Sequence, residues 1–308
     1  MALKAGRREG PDGVLLLDKP AGITSTRALA RAKRILGSLK GGHTGTLDPF
    51  ATGLLPLVFG EATKFSRFLL DSRKAYEATL RLGEETPTGD TESAVERRRA
   101  VRCDDAAIDA ALEAFRGAQS QVPPMHSAVR VEGRRLYDYA RAGEHVERPV
   151  RTIEVSHLER LRRLGDDLTV RVACSKGTYV RTLAQDIGEQ LGCGAHLVAL
   201  RRIAVGPFTL GEAVDFETLE REGPEAARSR LLPPESLVGA LDRYDADAQG
   251  AERFGHGQVI EAPEGPGREV AVFAPGGRFL GVAARAGPGR IAPLRLVSAP
   301  AAKLPDFA

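Results

Sequence analysis

The sequence of 308 residues lacks most of the short motifs that mark cofactor-dependent and metal-dependent enzymes. No Gly-Lys-Ser or Gly-Lys-Thr follows its glycine-rich segment at the spacing of a P-loop, and no G-x-G-x-x-G is present. The six histidines form no H-E-x-x-H, and no serine stands in a G-x-S-x-G elbow. These absences argue against nucleotide cofactors, metalloproteases and serine hydrolases, and we expect neither a cofactor nor a metal site.

Cysteines and long apolar runs are also scarce. Cys103, Cys174 and Cys193 lie far apart and none belongs to a C-x-x-C pair, which argues against a disulfide framework and a zinc knuckle. No secretory hydrophobic region and no apolar stretch of membrane length is found. We therefore expect reduced thiols in a soluble, uncleaved, cytoplasmic protein with no membrane partner.

The composition is that of a globular protein with an uneven charge distribution. Hydrophobic residues make up 42% of the chain and its formal net charge is only +3, yet residues 1–40 hold nine Lys or Arg against three acidic residues. This basic segment indicates a polyanionic partner or a solvated basic surface, and composition alone leaves both open. The length favours two domains.

Apolar patterns predict both strands and helices. The run from Val14 to Leu17 is typical of a buried strand, and the alternation from Ala75 to Leu82 is typical of a half-buried one. Helices are predicted after Thr24 and after Asp104. This mixture predicts an α+β fold.

The C-terminal part of the chain has a different character. Beyond about Pro233 the sequence is rich in Gly and Pro, with short strand-like segments at residues 269–273, 278–283 and 293–297. This pattern predicts a small β domain. We therefore divide the chain into a large α+β domain at residues 1–245 and a small β domain at residues 246–308.

The segment GGHTGTLDPFATGLLPLVFGEATKFSRFL, from residue 41 to residue 69, places Asp48 between glycines and a proline. An Asp before a Pro commonly does no more than begin a turn. Here Gly45 and Gly53 would let the backbone approach a ligand closely, and Pro49 biases Asp48 toward an extended conformation. Asp48 is therefore a candidate catalytic carboxylate as well as a candidate turn residue.

A second segment, CSKGTYVRTLAQDIG at residues 174–188, places Tyr179 and Arg181 two residues apart. An arginine beside a helix start is often a surface residue. An arginine paired with a buried carboxylate, however, keeps that carboxylate ionised, as a nucleophilic aspartate requires.

Five blocks of the sequence together resemble the TruB family of tRNA pseudouridine synthases, of the bacterial type. They are the two segments above together with LLLDKPAGITS (15–25), KAYEATLRLG (74–83) and PPMHSAVRVEGRRLYDYARAGEHVERP (123–149). The blocks follow one another in the same order as in the family. The blocks cover most of residues 14–205. The resemblance implies a pseudouridine synthase fold with a mixed, largely antiparallel sheet, and a C-terminal domain similar to the PUA RNA-binding domain.

Carried over to matching positions, the resemblance implies that Asp48 is the catalytic aspartate, Tyr76 stacks on the target uracil and Arg181 pairs with the aspartate. The other implied substrate-binding or supporting residues are His43, which fills the space left by a flipped nucleotide, Tyr179, the apolar wall Leu200, and Lys19 and Pro20 below the active-site loop. Read without the resemblance, His43, Tyr76 and Leu200 would be structural.

The implied reaction converts uridine to pseudouridine at position 55 of transfer RNA, in the TΨC loop. It rearranges one base, so no cofactor is expected. Asp48 would attack the uracil ring or the sugar carbon. The implied partner is transfer RNA alone, bound by a monomer without an obligate protein partner. Two other hypotheses are an RNA-binding protein without turnover, and a glycosidase that would need a second carboxylate such as Asp90 or Asp186.

Overall fold

The computed structural model describes residues 10–127 and 129–298, so Lys4, Arg7 and Arg8 of the basic segment lie outside the described residues. The helices are α1 (Ser25–Leu36), α2 (Ser66–Leu70), α3 (Asp105–Ala114), α4 (Leu136–Arg141), α5 (Val180–Gln190), α6 (Phe216–Ser229) and α7 (Ala248–Gly255). Short 3₁₀ helices span Gly60–Phe65, Leu210–Glu212 and Pro234–Val238.

The strands form one large sheet, one small sheet and two short hairpins. They are β1 (Gly13–Lys19), β2 (Gly41–His43), β3 (Thr52–Phe59), β4 (Lys74–Leu82), β5 (Glu84–Glu85), β6 (Arg97–Arg98), β7 (Gly117–Gln121), β8 (Arg130–Val131), β9 (Arg134–Arg135), β10 (Arg151–Leu164), β11 (Asp167–Cys174), β12 (Ala195–Val205), β13 (Phe208–Thr209), β14 (Asp242–Asp245), β15 (Ile260–Glu261), β16 (Glu269–Phe273), β17 (Phe279–Arg285) and β18 (Arg290–Leu296).

The large sheet has nine strands in the order β1-β3-β12-β4-β11-β10-β7, with β2 added at β3 and β13 at β12. Its pairs are antiparallel except that β3 and β12 run parallel. The predicted α+β fold with a mixed, largely antiparallel sheet is confirmed. The parallel contact brings the segment that follows Asp48 beside β12.

The apolar run of β1 is buried on both faces of the large sheet. Leu15 and Leu17 belong to the core under the helices, whereas Val14 and Leu16 belong to the core on the opposite face. Successive side chains of a strand point to opposite faces, so a strand between two cores needs apolar residues at every position. This explains the continuous run that predicted the strand.

Helix α1 begins at a capped end and carries a residue that supports the site. The Thr24 side chain accepts a hydrogen bond from the Arg27 backbone N–H at 3.2 Å, and Gly37 ends the helix with a φ of 66°. Ala28 lies fully buried on the face that packs on the core. Ser25, the first helical residue, is buried against the loop that holds Asp48.

The small sheet has five strands in the order β14-β16-β17-β18-β15 and confirms the predicted C-terminal β domain. It packs on the face of the large sheet opposite α1, where the rings of Phe65 and Phe279 lie 5.1 Å apart. Strand β14, which pairs with β16, ends at Asp245. The boundary between residues 245 and 246 stays a prediction.

Candidate active site

The loop between β2 and β3 carries Asp48, and hydrogen bonds with the side chains of Lys19 and Ser25 fix its backbone. The buried Lys19 ammonium donates to the carbonyls of Pro20 and Ile23 at 2.8 Å and to that of Pro49 at 3.3 Å. Burial lowers the pKa of Lys19 to about 8. The Ser25 hydroxyl accepts a hydrogen bond from the backbone N–H next to Asp48, that of Leu47, at 2.8 Å. The carboxylate therefore stands on a loop with a fixed backbone.

Gly53 lets this loop approach β12 more closely than any other residue could. Its φ is +98°, and a Cβ at this position would lie 2.3 Å from the carbonyl oxygen of Arg202. Both the backbone conformation and the space require glycine. The close approach fixes the distance between the Asp48 loop and the β12 side chains.

Arg181 joins two carboxylates at the first turn of α5. Its Nε lies 3.0 Å from Asp48 Oδ2, its Nη2 lies 3.4 Å from Asp48 Oδ1, and its Nη1 lies 3.4 Å from Asp90 Oδ2. The same guanidinium donates to the carbonyls of Thr88 at 3.0 Å and His126 at 2.7 Å. Arg181 is buried, and these contacts leave it little freedom to turn away from Asp48.

The charges around Asp48 act in opposite directions on its protonation. Burial raises the pKa of Asp48, the Arg181 guanidinium lowers it, and the nearby Asp90 carboxylate raises it again. The Asp48 side chain keeps 32% of its surface exposed, while that of Asp90 is fully buried. Asp48 can thus meet a ligand, whereas Asp90 acts on it only through Arg181 and through its charge.

A cavity of about 310 Å³ opens at Asp48 and is lined by the implied catalytic residues. Asp48, Tyr76, Arg181, Tyr179 and Leu200 all line it. Among the described residues that line it, Asp48 is the one carboxylate. The structure thus brings together five side chains from four separate parts of the sequence.

Tyr76 reaches the cavity from β4, in the middle of the large sheet. Its neighbour across the strands is Arg202 of β12. Burial raises the pKa of the Tyr76 hydroxyl, and the Arg202 guanidinium beside it lowers the pKa. The aromatic ring is 9% exposed, so it presents a surface to the cavity rather than to bulk solvent.

Of the remaining implied residues, Tyr179 lines the cavity, whereas His43 and Pro20 do not. The backbone of Tyr179 is held by Gln121, whose amide oxygen accepts from the Tyr179 N–H at 2.8 Å. His43, on β2, does not line the cavity, and its Nδ1 is buried without a hydrogen-bond partner among the described residues. Burial and the charge of Arg202 lower the pKa of His43. Pro20 is exposed and does not line the cavity either.

Two basic residues of the cavity wall were missed from the sequence. Lys74 donates to the carbonyls of Leu70 at 2.7 Å and Ser72 at 2.6 Å, and burial lowers its pKa to about 8. Arg202 is 1% exposed. Arg202 follows Leu200 by two positions, so the two side chains share one face of β12, and this spacing could have identified it.

Three family models match the chain in succession. Residues 33–180 match the TruB family pseudouridylate synthase (N terminal domain), residues 181–239 the tRNA pseudouridylate synthase B C-terminal domain, and residues 247–297 the C-terminal model of pseudouridine synthase II TruB. The chain is also 52% identical over 297 residues to tRNA pseudouridine synthase B of Burkholderia mallei, covering 94% of this chain and 98% of that protein. The chain belongs to the TruB family of pseudouridine synthases.

Further relatives agree with membership of the TruB family. The tRNA pseudouridine synthase B of Aromatoleum aromaticum is 53% identical over 287 residues, which is 93% of each chain. Among solved structures, the crystal structure of a Cbf5-Nop10-Gar1 complex is similar with a TM-score of 0.71 and 27% identity, over 91% of this chain and 80% of that chain. The resemblance predicted from the five sequence blocks is confirmed, and the TruB family is one of isomerases.

Proposed function

We propose that this chain converts uridine to pseudouridine at position 55 of transfer RNA, in the TΨC loop, with Asp48 as the nucleophile. The observation that carries the proposal is the Asp48 carboxylate, held 3.0 Å from the Arg181 guanidinium in a cavity that Tyr76 also lines. The names of the TruB relatives support transfer RNA as the substrate.

The cavity supports an extruded nucleotide rather than an intact RNA helix. Its volume of about 310 Å³ is at the lower end of the range of small-molecule pockets, roughly 300–1,000 Å³. A uridine folded into an RNA loop must leave its stack to enter, at a cost of a few kcal/mol. Stacking on the ring of Tyr76 offsets part of that cost. Leu200 supplies an apolar wall on the same site.

The chemistry requires an ionised Asp48 and a proton acceptor. Asp48 forms a covalent bond to the uracil ring or to the sugar carbon C1′, the bond between N1 and C1′ breaks, and a new bond forms between C5 and C1′. The bond to Asp48 then breaks, which frees the product and restores the carboxylate. N1 gains a proton and C5 loses one, so no atom is added to the nucleotide overall. The ion pair with Arg181 supports the ionised nucleophile. We assign removal of the C5 proton to Tyr76, whose phenol oxygen accepts that proton while its own hydroxyl proton passes to solvent.

The two other hypotheses fit this cavity less well. A glycosidase would need a second carboxylate facing the substrate, but neither Asp90 nor Asp186 lines the cavity. An RNA-binding protein without turnover has no need for a buried arginine that holds a carboxylate at 3.0 Å. The arrangement of Asp48, Arg181 and Tyr76 therefore favours catalysis.

The proposal includes a cytoplasmic monomer that acts without an obligate protein partner. All the residues assigned to the site come from one chain, so no second copy is needed to complete it. Cys103, Cys174 and Cys193 are free thiols in the structure. Within residues 10–127 and 129–298, no helix is long and apolar enough to cross a membrane. Light scattering of the purified chain, with and without transfer RNA, tests whether the chain is a monomer.

Mapping pseudouridine in a transfer RNA transcript tests the proposed substrate. We expect the purified chain to convert uridine 55 of an unmodified transcript and no other uridine, as read by carbodiimide-blocked primer extension. A transcript with cytidine at position 55 is the matched control and should remain unmodified. Conversion of a uridine outside the TΨC loop, with none at position 55, would contradict the proposed position but not the proposed reaction.

A further inference from the structure

The Arg202 guanidinium connects both ends of the loop that carries Asp48. Its Nε donates to the carbonyl of Leu54 at 2.7 Å, and its Nη2 donates to the carbonyl of Gly45 at 3.0 Å. Gly45 lies three residues before Asp48 in the chain, and Leu54 lies six residues after it. One side chain thus bridges the loop on which the proposed nucleophile stands.

The position of Arg202 on β12 makes this bridge possible. Arg202 pairs with Gly53 across the parallel contact between β3 and β12, and with Tyr76 across the antiparallel contact between β12 and β4. The ladder between β12 and β4 is irregular directly after Arg202, between residues 202 and 204. Irregularities of this kind redirect side chains beside active sites. The backbone of Arg202 therefore touches the loop on one side and the stacking tyrosine on the other.

The charge of Arg202 is costly for a residue with only a structural purpose. In the part of the chain that the structure describes, no Asp or Glu forms an ion pair with this buried guanidinium. Burying an unpaired charge is unfavourable, and an apolar residue of similar volume often serves stability equally well. The positive charge partly offsets the rise that burial causes in the pKa of Tyr76, and it adds to the lowering that burial causes in the pKa of His43. The charge of Arg202 therefore acts on two of the residues assigned to the site.

We propose that Arg202 is a positioning residue of this active site, which fixes the Asp48 loop against the ring of Tyr76 and so sets the rate of the reaction without setting the affinity for transfer RNA. The inference rests on the proposed function, because it assigns Asp48 and Tyr76 their roles. A displacement of about 1 Å between reacting groups can cost about 100-fold in rate. Loss of the bridge is expected to have an effect of that size.

The variants Arg202→Met and Arg202→Lys separate the contributions of charge and hydrogen bonding. Methionine keeps an unbranched apolar chain without charge or donors, whereas lysine keeps the charge and a donor group. The matched control is Arg116→Met, because Arg116 also donates to a backbone carbonyl, that of Leu158 at 2.7 Å, but does not line the cavity. For each variant we would measure the single-turnover rate at saturating transfer RNA, the dissociation constant at one stated salt concentration and the thermal unfolding midpoint.

We expect Arg202→Met to lose about 100-fold in single-turnover rate with a dissociation constant within about threefold of the wild type. Arg202→Lys should recover at least about tenfold of that loss, because it restores the charge and one bond to the loop. Amide hydrogen exchange of residues 45–54 should quicken in Arg202→Met and stay unchanged in Arg116→Met.

A single-turnover rate of Arg202→Met within about twofold of the wild type would overturn the inference. So would a loss that appears entirely in the dissociation constant, since Arg202 would then bind RNA. A variant that does not fold at 25 °C would overturn it as well, because Arg202 would be a requirement of the core. Absence of turnover in the wild type would instead contradict the proposed function, so the two failures are distinguishable.

Discussion

Replacing Arg181 by methionine tests the contact that holds the proposed nucleophile. The guanidinium reaches the Asp48 carboxylate at 3.0 Å through Nε and at 3.4 Å through Nη2. A hydrogen bond to a charged group contributes about 1.5–3 kcal/mol, and the longer contact adds little because it is near the limit for a hydrogen bond. Since about 1.36 kcal/mol corresponds to a tenfold change in rate, kcat/KM at pH 7 should fall by roughly 10- to 150-fold.

The pH dependence of kcat/KM should also shift, in a direction that follows from the charges around Asp48. Burial raises the pKa of Asp48, Arg181 lowers it and Asp90 raises it. The proposed reaction needs the ionised Asp48 carboxylate, so we expect activity to be lost as the pH falls through that pKa. In Arg181→Met the lowering influence is gone, and the acid limb of kcat/KM must move to higher pH. In Asp90→Asn a raising influence is gone, and the limb must move to lower pH.

The assay is kcat/KM for uridine conversion between pH 5 and 9 with one transfer RNA transcript, for the wild type and both variants. Arg116→Met is the control, because Arg116 also donates to a backbone carbonyl, that of Leu158 at 2.7 Å, but does not line the cavity. Its acid limb should coincide with that of the wild type. Acid limbs that move in the same direction in Arg181→Met and Asp90→Asn would refute the reasoning.

Two other substitutions test the aromatic surface and the close approach of the loop. Tyr76→Leu should keep the fold and the affinity for transfer RNA but turn over very slowly, because the uracil loses both its stacking partner and the proposed acceptor of the C5 proton. Normal single-turnover kinetics in this variant would show that Tyr76 does not have these proposed roles. Gly53→Ala should lower the free energy of unfolding by about 2–5 kcal/mol, because its Cβ would lie 2.3 Å from a backbone oxygen. Gly165→Ala, with φ +59° but open space, should cost about 1 kcal/mol in the same urea titration; equal losses would contradict the steric argument.

The regular elements near the site could be predicted because their burial follows simple periods. In β4 the burial alternates strictly along nine residues, and the sequence from Ala75 to Leu82 shows the same alternation. In β1 both faces are buried, and the run from Val14 to Leu17 is uniformly apolar. Local hydrophobicity was sufficient for both strands.

Strands β10 and β12 were not predicted, and there is a physical reason in each case. The ladder of β10 shifts between Val155 and His157, and much of its length is exposed, so few apolar residues mark it. The ladder of β12 shifts between Leu197 and Ala199 and again after Arg202, which interrupts the alternation that identifies a strand. Irregular strands are therefore difficult to recognise from periodicity.

The residues of the site were predicted by resemblance more than by pattern. Asp48 could be singled out from its glycines and proline, but its contact with Arg181 spans 133 positions and arises from tertiary structure. The roles assigned to Tyr76 and Leu200 came only from the family. Arg202 was missed because it belongs to no motif and lies beside a second arginine, Arg201, although its spacing from Leu200 places both Arg202 and Leu200 on one face.

The measurement that tests the central claim most directly is tritium release from transfer RNA labelled at C5 of uridine, with purified protein and no added cofactor. The wild type should release the label from position 55, and Asp48→Ala should release none while binding transfer RNA within about tenfold of the wild type. Release at the wild-type rate by Asp48→Ala would contradict the assignment of Asp48 as the nucleophile. Tight binding of transfer RNA by the wild type without any release would contradict the isomerase and favour an RNA-binding protein without turnover.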